Sequence, residues 1–327
     1  MKALVFRAFG GPEVLAVEEI AEPALAPGTA VVRMKAIGLN YADVYRRQGN
    51  YHLVGEPPYI LGYEGAGVVE AVAPGVAGIR PGDRVGFADA PRANAELVGV
   101  PADRLIPLPD GIGFDTAAAV LLQGLTAHYL ANDSYAVRPG DRILVHAAAG
   151  GVGQLLAQLC KAKSAYVIGL TSSEAKRETA LAAGADEALL YGGDWAAEVL
   201  RRTASPGGSG EAGVDAAYDS VGATLMDSFR AVRTRGTVVF FGMAGGDPPL
   251  VDPRMLMDTS KTLTGGDLWN HVTTAADRIR RAESLFGDLL AGRLKLAAPT
   301  RFPLAEGAAA HRLIESRAST GKILLVP

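Results

Sequence analysis

Residues 146–153, His-Ala-Ala-Ala-Gly-Gly-Val-Gly, are the stretch whose residue types most directly imply chemistry. Ile143, Leu144 and Val145 precede it as a short apolar run after the turn Arg138-Pro139-Gly140. Val152, Leu155, Leu156 and Leu159 follow at helical spacing. The pattern predicts a buried strand, a small-residue turn and a helix with one apolar face. Such a corner binds phosphate, because glycine lets backbone approach a diphosphate closely and the N–H groups opening a helix favour negative charge. The fingerprint G-x-G-x-x-G is matched imperfectly: Ala148 stands first, Gly150 and Gly153 stand second and third, and Gly151 is additional. A plain strand–helix turn is the competing reading. The flanking strand and helix favour a dinucleotide.

The residues expected beside the adenosine point to its 2′-phosphate. An NAD-specific site would place Asp or Glu at the end of the second strand to accept the ribose hydroxyls. This chain has Thr171, Ser172 and Ser173, then Lys176 and Arg177. Hydroxyls with a cation suit a phosphate, and NADPH is expected over NADH. Glu174 opposes that reading, unless it serves only as a first-turn acid of the following helix. Tyr191 closes the next strand, where its ring would lie near the adenine ribose or simply pack in the core. Ser220, Gly222, Gly242 and Met243 are expected at the carboxyl ends of later strands, the edge where open α/β sheets bind ligands.

Other chemistries are poorly served. The five histidines show no metal-binding spacing, and the single cysteine, Cys160, sits in the helix after the glycine turn, where it reads as a small core residue. No serine stands in G-x-S-x-G. The net charge of −3 gives no case for nucleic acid or anionic lipid. No apolar run approaches the ~20 residues of a membrane span, and the cytoplasm is the expected location.

The elements that must position these residues fall into two patterns across 327 residues, enough for two domains. Strands are expected at 1–6, 30–37, 65–72, 83–88 and 93–100, separated by Pro-Gly turns, with a helix at 40–47. Short strands at this spacing suggest a barrel-like β domain. A helix at 115–131 leads into strands at 142–147, 166–170, 188–191, 216–220 and 237–241. Between these strands lie helices at 151–161, 174–183, 195–203 and 224–232, an alternation that argues for a doubly wound parallel sheet. Residues 205–213 read as a surface loop. The remaining pieces, a helix at 275–290, a strand at 301–304, a helix at 306–317 and a strand at 322–326, are too few for a domain. They are expected to return to the N-terminal one.

Longer stretches carry a family resemblance. GGPEVL at 10–15, AIGLNYADVYRRQG at 36–49, PGDRV at 81–85, QGLTAHYL at 123–130, HAAAGGVG at 146–153, YDSVG at 218–222 and ESRASTGKILLVP at 315–327 span essentially the whole chain. It resembles the zinc-independent NADPH:quinone oxidoreductases, the zeta-crystallin group of the medium-chain dehydrogenase/reductase superfamily. The resemblance implies an α/β fold, a doubly wound parallel Rossmann sheet at 122–266 plus a discontinuous GroES-like β-barrel domain at 1–121 and 267–327. It also implies NADPH held in an interdomain cleft, a quinone acceptor and a homodimer. Zinc-dependent relatives carry a metal-binding cysteine where this chain has Asn40 and a histidine where it has Tyr63, so no metal is expected. The glycine-rich segment at Gly265 and Gly266 is shorter than in the group, and Trp269 reshapes the expected substrate side.

Carried over position by position, the resemblance places Asn40, Tyr41, Tyr45, Thr126 and Tyr129 near the nicotinamide half. It places Gly150, Gly151, Val152 and Gly153 on the diphosphate, and Ser172, Lys176 and Tyr191 around the 2′-phosphate. Ser220, Phe241, Gly242, Met243, Ala244, Asp267, Leu268, Trp269 and Arg317 complete the expected cofactor site. A quinone accepts electrons readily, so its reduction needs positioning more than strong acid–base catalysis. Tyr45, partnered by Asn40, is the candidate for hydrogen-bonding the acceptor oxygen; alternatively both only orient the nicotinamide amide. Asp43 reads as structural and Glu64 as a buried acid with a partner. Two other functions stay open: a zinc-free reductase of α,β-unsaturated carbonyls, and a non-enzymatic NADPH-binding protein.

Overall fold

The computed structural model describes residues 1–204 and 211–327. Most of the surface loop expected at 205–213 therefore lies outside the described residues. The chain forms two compact units, Met1–Leu125 with Val272–Pro327, and Thr126–His271.

The first unit is built on a seven-stranded sheet. Its path runs Thr300–Pro303, Ile323–Val326, Thr29–Leu39, Gly65–Val72, Arg84–Phe87 and Ile106–Pro107, and Leu97–Pro101 also pairs with Thr29–Leu39. The last strand adds antiparallel to the long one, with Ile323 opposite Leu39 and Leu325 opposite Ile37. Apolar residues alternate inward on these strands, and Val32, Met34, Ile37, Leu39, Val85, Phe87, Val98 and Leu325 share one core. A small second sheet pairs Lys2–Phe6 with Ala16–Glu19 and Tyr59–Ile60, and its Leu4 and Phe6 enter the same core. Residues 93–96 were expected as strand. There the Ala93 and Asn94 amides donate to the Gly62 and Leu61 carbonyls, Ala95 makes only an isolated antiparallel bridge with Ala3, and the strand starts at Leu97.

The second unit is a parallel sheet of six strands: Arg142–Val145, Tyr166–Thr171, Glu187–Leu190, Val214–Asp219, Val232–Phe240 and Thr262–Gly265. Counted along the chain, they stand in the order third, second, first, fourth, fifth, sixth. This is the doubly wound arrangement, whose order reverses between the first and fourth strands and opens a crevice at their carboxyl ends. The sixth strand and the helix Pro253–Thr259 before it are additions to the expected pattern. Asp252 caps that helix through the Arg254 N–H, with Pro253 in its first turn.

Two expected elements end differently. The first strand of this sheet stops at Val145 rather than 147, because Ala147 takes a left-handed backbone with φ 47° that no strand accommodates. The helix expected to end at 131 runs Phe114–Tyr129 and widens into a π-helical turn over Leu130–Ser134. Among the described residues, no helix is long and apolar enough to cross a membrane.

Candidate functional site

In the first unit the chemistry gathers where the long strand hands over to the helix Tyr41–Gln48. The Asn40 amide N–H donates to Asp43 Oδ2 at 3.0 Å, the return half of a capping box. Asp43 is buried and paired with Arg46 at 3.2 Å. Burial pushes its carboxyl pKa up, against the pull of Arg46 and the Asn40 N–H. Asp43 therefore starts the helix. On the partly exposed side, Tyr41 and Tyr45 lie one turn apart with ring centroids at 5.3 Å, and Tyr51 lies 6.3 Å from Tyr45. The Arg46 guanidinium covers the Tyr63 ring at 3.9 Å and the Tyr51 ring at 5.0 Å.

Behind this aromatic face lies a closed polar cluster. Glu64 is 0% exposed and Lys322 4%. Lys322 Nζ donates to Glu64 Oε2 at 2.5 Å and to Asn40 Oδ1 at 2.7 Å. Asn40 Nδ2 donates to Glu64 Oε2 at 2.9 Å and to the Gly38 carbonyl at 3.3 Å. Leu122 N–H fills Glu64 Oε1 at 2.7 Å, and Gln123 Nε2 reaches Asn40 Oδ1 at 3.4 Å. Every donor and acceptor of the Asn40 carboxamide is thereby engaged within the unit. Gly38 makes room for the cluster, since a Cβ there would fall 2.2 Å from Glu64 Oε2 and 2.6 Å from the Ala118 carbonyl. Lys322 escaped the sequence reading. Its one signal was a lysine opening the otherwise apolar end Lys-Ile-Leu-Leu-Val.

In the second unit the expected cofactor residues line the carboxyl edge of the sheet. The helix Gly151–Ala162 opens at Gly150 with no side-chain cap, leaving its first N–H groups to meet an anion. Gly153 permits the tight return of the loop: a Cβ there would lie 2.4 Å from the Ala147 carbonyl oxygen. These residues fit a dinucleotide diphosphate. At the end of the second strand, Ser173 caps the helix Glu174–Ala182 through the Lys176 N–H, beside exposed Ser172 and part-buried Lys176. Glu174, the residue that argued against a phosphate, is paired with Arg177 at 3.1 Å.

Tyr191 stands one residue beyond the third strand, and its hydroxyl accepts the Ala147 N–H at 2.9 Å. Ser220, Phe241, Gly242, Met243 and Ala244 come together where the fourth and fifth strands end, joined by bonds from the Phe241 N–H to the Asp219 carbonyl and from the Ala244 N–H to the Ser220 carbonyl. Buried Tyr129 stacks on His271 at 4.3 Å and packs beside Gly266, where a Cβ would sit 2.6 Å from its ring. Asp267 accepts the Trp269 N–H at 3.0 Å and opens the short turn carrying Leu268. Thr126 is buried in the same unit. Asn40, Tyr41, Tyr45 and Arg317 belong to the other unit, and Arg317 is exposed with φ 58°.

Residues 26–110 match the alcohol dehydrogenase GroES-like domain, and residues 151–281 match the zinc-binding dehydrogenase family. The chain is 40% identical over 329 residues to a quinone oxidoreductase of Pseudomonas aeruginosa, covering 100% of this chain and 99% of the relative. It is 37% identical over 333 residues to a 2-haloacrylate reductase of Burkholderia sp, covering 99% and 98%. The solved Escherichia coli quinone oxidoreductase complexed with NADPH matches with a TM-score of 0.95 at 35% identity, covering 100% of both chains. The chain belongs to the quinone oxidoreductase family of medium-chain dehydrogenases/reductases.

Among the described residues, the zinc for which the matched dehydrogenase family is named finds no suitable ligands at this site. Zinc takes thiolate, imidazole or carboxylate. Asn40 offers a fully engaged carboxamide, Tyr63 a phenol beneath Arg46, and Glu64 a carboxylate already neutralised by Lys322. Among the described residues, no group of three or more His, Cys, Asp or Glu side chains could hold a metal ion. In this quinone oxidoreductase relative a lysine ammonium balances the buried acid.

Proposed function

We propose that this chain is an NADPH-dependent quinone oxidoreductase that works without zinc. The observation that carries the reading is the uncapped glycine corner on a doubly wound sheet, in a chain 35% identical throughout to a quinone oxidoreductase solved with NADPH. When bound, the reduced nicotinamide supplies a hydride to the acceptor, and the oxygen that gains the electron pair takes a proton from a nearby donor or water. Tyr45, on the partly exposed aromatic face with Tyr41, is our candidate for hydrogen-bonding that oxygen. Asn40 fixes the start of its helix through the Glu64–Lys322 cluster. Ser172 and Lys176 are proposed to take the 2′-phosphate, and Gly150 to Gly153 the diphosphate. The remaining expected cofactor residues keep their proposed roles, except that the Tyr191 hydroxyl is bonded to the Ala147 N–H, leaving the ring to lie beside the adenosine.

A second reading has one observation in its favour, the full-length similarity to a 2-haloacrylate reductase. That acceptor is an activated alkene, which also accepts hydride without a metal. The two readings are separated by following NADPH absorbance with benzoquinone, a naphthoquinone, an enone and a 2-haloacrylate. Faster turnover of the quinones is expected. Turnover of the alkenes alone would establish the second reading, and NADPH binding without turnover of any acceptor would make the protein a non-enzymatic nucleotide binder.

We also infer a homodimer formed through Thr262–Gly265, one of the two edge strands of the parallel sheet. Leu250 and Met257, on the segment leading into that strand, are 99% and 71% exposed, and such apolar surface beside a strand edge favours a partner. A cytoplasmic setting, where reduced nicotinamide is produced, is the one this function implies.

A further inference from the structure

The glycine corner begins with a residue in an unfavourable conformation. Ala147 has φ 47°, which is unfavourable for a residue with a Cβ. Its N–H donates to the Tyr191 hydroxyl oxygen at 2.9 Å. The path from that hydroxyl leads inward. Tyr191 Oη lies 3.3 Å from His146 Nδ1, His146 Nε2 lies 3.0 Å from Ser228 Oγ, and Ser228 Oγ lies 2.7 Å from Asp219 Oδ2.

The buried end of this path sets its direction. Asp219 is fully buried, and its Oδ1 accepts the Val221 and Gly222 N–H groups at 2.8 and 3.0 Å. Thr224 donates to Oδ2 at 2.8 Å. An acid with this many donors is a carboxylate, so Ser228 gives its hydroxyl hydrogen to it. The Ser228 oxygen then accepts from His146 Nε2–H, which leaves Nδ1 as the acceptor for the Tyr191 O–H. Burial lowers the His146 pKa, more than the nearby Asp219 raises it, and keeps the ring neutral as this arrangement requires. Thr224 Oγ1 also lies 3.4 Å from Nδ1, but its hydrogen goes to Asp219. The Tyr191 oxygen is left with its lone pairs facing Ala147.

We propose that Tyr191 is a positioning residue, held by His146, Ser228 and Asp219, that locks Ala147 in its left-handed conformation and so shapes the glycine turn for a diphosphate. This rests on the reading that the turn takes a dinucleotide, and it assigns the Tyr191 hydroxyl a purpose that does not depend on the 2′-phosphate. NADPH and NADH carry the same diphosphate, so the lock serves both.

The test measures dissociation constants for NADPH and NADH in wild type, Tyr191→Phe, Ser228→Ala, and Tyr191→Phe combined with Ala147→Gly. Tyr191→Phe is expected to weaken both nucleotides by the same factor, about fivefold to tenfold for one hydrogen bond. Ser228→Ala acts from a distance on the same bond and should weaken both equally but less; it carries the test if Tyr191→Phe does not fold. Glycine adopts the left-handed region freely, so Ala147→Gly should recover affinity in the Tyr191→Phe background, which a lost ligand contact would not allow. A loss confined to NADPH, no loss with either nucleotide, or no recovery by Ala147→Gly overturns the proposal. Wild-type protein that bound neither nucleotide would instead refute the dinucleotide reading of the turn.

Discussion

Replacing Lys322 by Met removes an ammonium from a closed cluster while keeping most of the side-chain volume. Glu64 would keep only the Leu122 N–H at 2.7 Å and Asn40 Nδ2 at 2.9 Å, and it has no route to water at 0% exposure. Removing one partner of a buried pair typically costs about 3–5 kcal/mol. Urea denaturation of wild type, Lys322→Met, Glu64→Gln and the double variant at pH 7 completes a double-mutant cycle. The double variant should recover most of the loss. A Lys322→Met cost below about 1 kcal/mol, or no recovery in the double variant, would refute the reasoning.

Two further outcomes are expected. Lys176→Ala should weaken NADPH about tenfold or more, the scale of a hydrogen bond to a charged group, with little change for NADH; equal losses in a binding titration would remove Lys176 from the phosphate site. Acid should destabilise the protein through His311, whose pKa is pushed down to about 3 by burial and then by Arg47, whose guanidinium nitrogen lies 3.1 Å from Nδ1. This imidazole is neutral in the fold and protonates in the unfolded chain below about pH 6.5, so its contribution is present above that pH and is lost as pH falls toward about 3. The slope approaches about 1.4 kcal/mol per pH unit in that window. Urea midpoints at pH 7, 6 and 5 should fall less steeply in His311→Gln, and parallel slopes would contradict the assignment.

What could be read from the chain alone was what neighbours along the chain decide. The strand Gly65–Val72 and the helices Trp195–Thr203 and Ala275–Leu290 have the bounds their patterns predict. Each is bracketed by local punctuation: Pro-Gly turns after the strand, Asp194 capping one helix and Thr274 the other. Ala16–Glu19, Tyr59–Ile60 and Thr262–Gly265 went unseen. They are too short for periodicity to register, and pairing across the sheet makes them strands. The glycine corner was legible because one turn carries the whole signal. The groups that complete it were not, since Ser228 lies 82 residues from His146. Lys322 and Glu64 are separated by 258 residues, so a lone terminal lysine revealed nothing of its partner.

The cluster around Glu64 also bears on which acceptors the protein can serve. A plain ketone needs its oxygen polarised by a strong electrophile before hydride will add, and metal ions supply this as Lewis acids. The cation beside Asn40 is the Lys322 ammonium, whose bonds point to Glu64 and Asn40 within the same buried cluster, and the Arg46 guanidinium is taken up by Asp43 and the His52 carbonyl. Asn40 has no spare amide hydrogen, because both are directed to Glu64 and the Gly38 carbonyl. What stands on the partly exposed side is phenolic, Tyr41, Tyr45 and Tyr51. A phenol donates one ordinary hydrogen bond, enough to steady a charge that the acceptor already delocalises. Quinones and activated alkenes delocalise that charge themselves, and simple carbonyls do not. With the acceptor on this face, as proposed, a preference for electron-poor acceptors follows from where Lys322 points.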